Sequence, residues 1–130
     1  MTTPQQFLES FFREKVAVNS EANVHLAPVY AKYFGEPLSK HIRHFLLFDS
    51  VSTVFDDVKE SAGSAIIITS ELWVSCAFRR RYHLAVVGED WKITRIDGEC
   101  LFCRGTGQSG QLACQHCDGE GWYDTRKNAA

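Results

Sequence analysis

Two C-x-x-C pairs stand ten residues apart near the end of this 130-residue chain, Cys100 with Cys103 and Cys114 with Cys117. Each pair runs on into x-Gly-x-Gly, as Arg104-Gly105-Thr106-Gly107 and Asp118-Gly119-Glu120-Gly121. Two residues between thiolates let one tight turn present both sulfurs to a single ion, and two such turns complete a tetrahedron. Gly105 and Gly119 are expected to take a left-handed conformation that curls the backbone toward the sulfurs, and Gly107 and Gly121 to let the loops approach closely. Around the thiols the only large apolar groups are Leu101, Phe102, Leu112, Trp122 and Tyr123. So small a set cannot bury enough surface to order the segment. Metal ligation supplies what the core lacks, about 10 to 16 kcal/mol for a structural zinc site.

Two other chemistries use paired cysteines. Disulfides need an oxidising compartment, and a redox C-x-x-C opens a helix in a βαβ setting, whereas these pairs precede glycine-rich turns. The expectation is therefore one structural Zn2+ held by Cys100, Cys103, Cys114 and Cys117, with no open position for a catalytic water. His116, inside the second pair, is a competing ligand by chemistry, but closure by four sulfurs is simpler. The fifth cysteine, Cys76, lies in an apolar stretch and reads as a buried core thiol.

The remaining composition narrows the class. With 14 Lys and Arg against 16 Asp and Glu, the formal charge is −2, which argues against nucleic acid as the main partner. The longest apolar runs, such as residues 65–68 and 84–87, are four residues long, far short of the roughly 20 a spanning helix needs. No membrane association is expected. The start, Met1-Thr2-Thr3-Pro4-Gln5-Gln6, lacks a basic region followed by an apolar core, so a cytoplasmic setting with reduced thiols is expected.

The first 98 residues read as α+β. Thr3-Pro4 is a helix start, a hydroxyl cap before proline, and Phe7, Leu8, Phe11, Phe12 and Val16 form one face of a helix ending near Asn19. A second helical stretch spans roughly residues 21–34, kinked or begun at Pro28 and ended by Gly35. Residues 39–48 fit a short helix about as well as a strand. From Val51 the pattern is β: strands at residues 53–59 and 65–69 around a turn at 61–64, then a hairpin of residues 79–87 and 91–96 about Gly88-Glu89-Asp90. In that hairpin Tyr82, Leu84 and Val86 share one face, and Trp91, Ile93 and Ile96 point inward. The fold class is thus N-terminal helices packed on a curved, cone-like antiparallel sheet, followed by a small zinc ribbon.

Two resemblances follow from these residues. The twin C-x-x-C-x-G-x-G units between Cys100 and Gly121 resemble half of the zinc-binding, cysteine-rich region of DnaJ-type chaperones. Those carry four such units and a His-Pro-Asp motif, and this chain has two units and no His-Pro-Asp. Only the metal-binding turn and its use in protein contacts are implied. The opening helix Gln5-Gln6-Phe7-Leu8-Glu9-Ser10-Phe11-Phe12 and the hairpin from Arg81 to Ile96 resemble the nuclear transport factor 2-like superfamily, which includes ketosteroid isomerase-like and SnoaL-like members. That resemblance implies a cone around a pocket and frequent homodimers. Residues 1–98 would form this domain, 99–124 the ribbon, and 125–130 a flexible tail.

An isomerase-type site would need a carboxylate base and a buried donor facing one apolar pocket. His25, Tyr30, Tyr33, His41, His44, Asp49, Asp56 and Asp57 are the available groups, at no recognisable catalytic spacing. Tyr30 and Tyr33 read as core lining, His41 and His44 as a solvated or core-capping pair. Adjacent Asp56 and Asp57 should point to opposite faces. Arg79-Arg80-Arg81 reads as an exposed edge strand that resists aggregation. With only Asp97-Gly98-Glu99 between strand and ligands, the ribbon should dock on the body through Trp122 and Tyr123. The function expected is a non-enzymatic, zinc-containing module binding a protein or a small apolar ligand. The alternative is a pocket enzyme whose ribbon serves stability alone.

Overall fold

The computed structural model describes residues 2–19, 31–35, 52–72 and 77–124. Helix α1 (Pro4–Asn19) begins where the hydroxyl cap predicts. Thr3 Oγ1 accepts the Gln6 amide at 3.1 Å and Gln6 Oε1 accepts the Thr3 amide at 3.1 Å, a reciprocal box that satisfies two donors with no partner inside the helix. Leu8 and Phe11 are fully buried. Phe11 meets Tyr33 and Phe34, at centroid distances of 5.4 and 5.6 Å, and Phe12 meets Tyr82 edge-on at 5.6 Å.

Strands β1 (Ser52–Ser61), β2 (Ser64–Leu72), β3 (Ala77–Val87) and β4 (Asp90–Glu99) follow as antiparallel neighbours. Tight turns at Gly63 (φ 76°) and Gly88 (φ 69°) join β1 to β2 and β3 to β4. A two-stranded ribbon, β5 (Gln108–Ser109) and β6 (Leu112–Ala113), comes next, and β7 (Trp122–Asp124) returns to pair with β4. The main sheet is open, in the order β1-β2-β3-β4-β7. Among the described residues no helix is long and apolar enough to cross a membrane.

One face of the sheet holds the core: Ala65 and Ile67 of β2, Tyr82 and Leu84 of β3, Trp91, Ile93 and Ile96 of β4. The spacing 91, 93, 96 departs from strict alternation because β4 bulges at Thr94, where Ile93 pairs with Leu84 and Arg95 with His83. Thr94 Oγ1 donates to the His83 carbonyl at 3.1 Å and fixes the extra residue. Beyond the bulge the even-numbered residues face inward. The far edge of β4 is shared, with Phe34 bridged to Ile93 and β7 paired to Asp97–Glu99.

One expectation needs correction. Arg79, Arg80 and Arg81 lie on β3, the middle strand, and Arg80 is only 1% exposed, so the run is no solvated edge. The physical reason is that β3 pairs with β2 on one side and β4 on the other, while the inner face has a buried carboxylate to receive the Arg80 guanidinium. Along β1 burial alternates through Asp56 and Asp57, while the register with β2 shifts between Phe55 and Asp57. There Asp56 accepts a hydrogen bond from Ser70 and faces Arg79 at 3.5 Å. His25, Tyr30, His41, His44, Asp49 and Cys76, the residue 39–48 segment and most of the second helical stretch lie outside the described residues.

Candidate metal centre

The four cysteines of the twin motif converge, their Sγ atoms all within 4.8 Å of one another. All are buried and none is disulfide-bonded. Cys100 and Cys114 Sγ lie 3.9 Å apart, Cys103 and Cys117 Sγ 3.6 Å apart. Sulfurs bound to one zinc at about 2.3 Å occupy tetrahedral corners about 3.8 Å apart, so the spacing fits that ion. His116 is not among the converging groups. Its ring stacks on Phe102 at 3.5 Å, and both occupy the third position of their C-x-x-C turns.

The two turns obey one local rule twice. The Gly107 amide donates to Cys103 Sγ at 3.3 Å and the Gly121 amide to Cys117 Sγ at 3.1 Å. The loops then clasp each other: Cys114 N donates to Gly107 O and Cys100 N to Gly121 O, each at 2.9 Å. Such closeness requires glycine at position 121, where φ is 82° and an added Cβ would sit 2.5 Å from the Gly105 carbonyl oxygen. Burial pushes the Cys103 thiol up, but the Gly107 amide and the neighbouring cysteines outweigh it and bring it down to about 6. A thiol so tuned is readily deprotonated at neutral pH, the form a metal requires.

The sheet holds this centre by its outer face. Asp97, fully buried three residues before Cys100, receives Arg81 Nε at 2.8 Å, His83 Nε2 at 2.7 Å and Arg95 Nε at 2.6 Å. Burial would raise the Asp97 carboxyl, yet these three donors win and hold it at about 2. Trp122 of β7 lies under the guanidinium groups of Arg81 and Arg79, at 4.9 and 5.7 Å from its ring centre. Tyr123 covers Gly98, where any Cβ would fall 2.6 Å from the ring. Glu99, also buried, reaches Arg79 at 3.7 Å and borders Gly105. Strand β4 thus runs directly into the first ligand, Cys100.

Of the catalytic candidates, Tyr33 is buried against Phe7 and Phe11, and burial followed by the nearby Glu14 pushes its hydroxyl up. Asp56 and Asp57 stay on β1, apart from it. A different acidic group, absent from the sequence expectations, lies buried on the inner face. Glu71 Oε2 accepts Tyr82 Oη at 2.9 Å and Thr69 Oγ1 at 3.1 Å, with Arg80 at 3.6 Å from Oε1. Burial, then the Glu71 charge, pushes the Tyr82 hydroxyl well up. Alternation that puts Ile67, Thr69 and Glu71 on the face shared by Tyr82 and Arg80 was the available signal, but it needs the β2–β3 register to be read. Comparison with known proteins brings no match to a family model, a curated protein or a solved structure, and the two resemblances rest on the residues that carry them.

Proposed function

We propose that the chain is a non-enzymatic interaction module whose carboxyl-terminal segment is ordered by one structural zinc. In this reading residues 1–98 form the body, with the helices covering a curved sheet, and residues 99–124 form the ribbon that meets a partner in a reducing, cytoplasmic setting. The observation that carries it is the sulfur geometry, with pairs at 3.6 and 3.9 Å inside loops that present large apolar groups outward. Phe102 and Leu112 are each 73% exposed and Leu101 58%. Side chains that a metal site does not need, held outward on a rigid frame, favour docking of a partner, whether another protein or a second copy of this chain.

Four thiolates close the coordination sphere, so the zinc would fix geometry and carry no reacting group. Two measurements test this. Metal analysis of the purified protein should find about one zinc per chain; a folded, metal-free protein with four reactive thiols would refute it. Affinity capture from the native cells should retain a partner that the triple variant L101S/F102S/L112S loses with its zinc intact. Identical capture by both proteins would sink the docking role of these side chains.

A second reading, a pocket enzyme with a stabilising ribbon, draws on the buried Glu71–Tyr82 pair of the inner face. It predicts a small apolar ligand that raises the melting temperature of the native chain and not of E71Q. A ligand screen in which both respond alike would remove it.

A further inference from the structure

The exposed side of the metal centre is a groove of about 480 Å³. Aromatic rings of Phe102, His116, Trp122 and Tyr123 line it, with the carboxylates of Asp118, Glu120 and Asp124, and among the described residues no Lys or Arg contributes to its wall. Asp124 is buried and shared with Arg95 at 3.7 Å, whereas Asp118 and Glu120 are exposed and have no ion pair among the described residues. Cys100 and Cys117 also border the groove. Four thiolates around one Zn2+ leave roughly two negative charges there, and bound ions of this kind set the local potential.

We infer that this groove takes a basic segment of a protein partner, an extended stretch in which Lys or Arg side chains flank an apolar residue. The inference rests on the interaction-module reading above and specifies its partner. The argument is charge complementarity joined to ring chemistry. A cation over an aromatic face and beside an exposed carboxylate gains from both, and an anionic segment would meet the like charge of Asp118 and Glu120. The apolar residue between the cations covers Phe102, which the fold leaves 73% exposed.

The test uses the full-length, zinc-loaded chain and three fluorescein-labelled peptides read by anisotropy. In the first, lysines alternate with alanines about one central leucine; the others carry Gln or Glu in place of each Lys. The lysine peptide should bind about tenfold more tightly than its Gln version, lose affinity as salt rises, and outcompete the Glu version altogether. The double variant D118N/E120Q should weaken lysine-peptide binding about fivefold with zinc content unchanged. Asn at position 118 suits the backbone, since Asp118 already holds φ at 55°. F102A, at an exposed position, should weaken all binding similarly while the salt dependence persists.

Equal affinity for the three peptides, or lysine-peptide binding unchanged in D118N/E120Q, would overturn the basic partner. So would self-association of the native chain that F102A abolishes, because the groove would then belong to a second copy. Zinc content separates the two levels of failure. Protein lacking zinc defeats the metal-ordered module itself, whereas fully loaded protein that ignores the lysine peptide defeats only the basic partner.

Discussion

Asp97 is one carboxylate with three cationic or hydrogen-bonding neighbours, Arg81, His83 and Arg95, and no exposure to solvent. Its pKa falls from 3.8 to about 2 on folding. A depressed acid stabilises the fold fully above its unfolded value, and the gain disappears as pH drops toward the folded value. Between pH ~4 and ~2 the native chain should lose about 2 kcal/mol that D97N does not lose. Urea denaturation of both proteins across that window measures it. Every other titrating group is common to the two proteins, so the difference isolates Asp97. Parallel curves would mean that the three donors do not depend on its charge. A second residue-scale prediction concerns Gly121. G121A places a methyl against the Gly105 carbonyl at an unfavourable φ, and a competition titration with a chelator should show zinc affinity falling at least tenfold. Unchanged affinity would show that the clasp between the loops is not needed.

At the scale of elements, the proposed zinc module makes the metal loops and β7 one unit whose order depends on ligation. C103S removes one sulfur, and the Gly107 amide then faces a poorer acceptor. Proteolysis after Gly98 should accelerate by an order of magnitude or more, while amide protection of β2 and β3 persists. Loss of protection throughout the sheet would show that the sheet itself needs zinc. How much of this was legible varied with range. The thiol spacing, the Thr3 cap and the β3–β4 hairpin are local, and a few neighbouring residues encode each. The place of Arg79, Arg80 and Arg81 is not local, because β3 becomes an interior strand only through its pairing with β2 on one side and β4 on the other. The Glu71–Arg80–Tyr82 cluster escaped for the same reason: its members meet only through the register of two strands.

For the whole molecule, Trp122 couples the two halves. Its ring lies against two arginines of the central strand, and its backbone pairs with Glu99. Each contact of this kind is worth about 0.5 to 1 kcal/mol at a partly exposed site. In the native chain, zinc removal should therefore lower the melting temperature of the sheet as well as loosen the ribbon. In W122A the sheet should melt at the same temperature with or without zinc. A double-mutant-style comparison of the four melting curves gives the coupling energy directly. Additive effects would place the link elsewhere, in Tyr123 over Gly98 or in Glu99.

The bulge at Thr94 acts on all these arrangements as a change of phase. Before it, odd-numbered residues of β4 face the core; after it, even-numbered ones do, which is why Ile96 is inside while Asp97 meets the arginines. A chain lacking Thr94 would run through β4 in unbroken alternation with the same faces, Ile93 and Ile96 inside and Asp97 still toward the arginines, because Thr94 is the residue with no partner. A single residue inserted after Arg95 would instead turn Asp97 toward Tyr82, and would cost more than most core truncations, through inversion of everything downstream of it, the first metal ligand included.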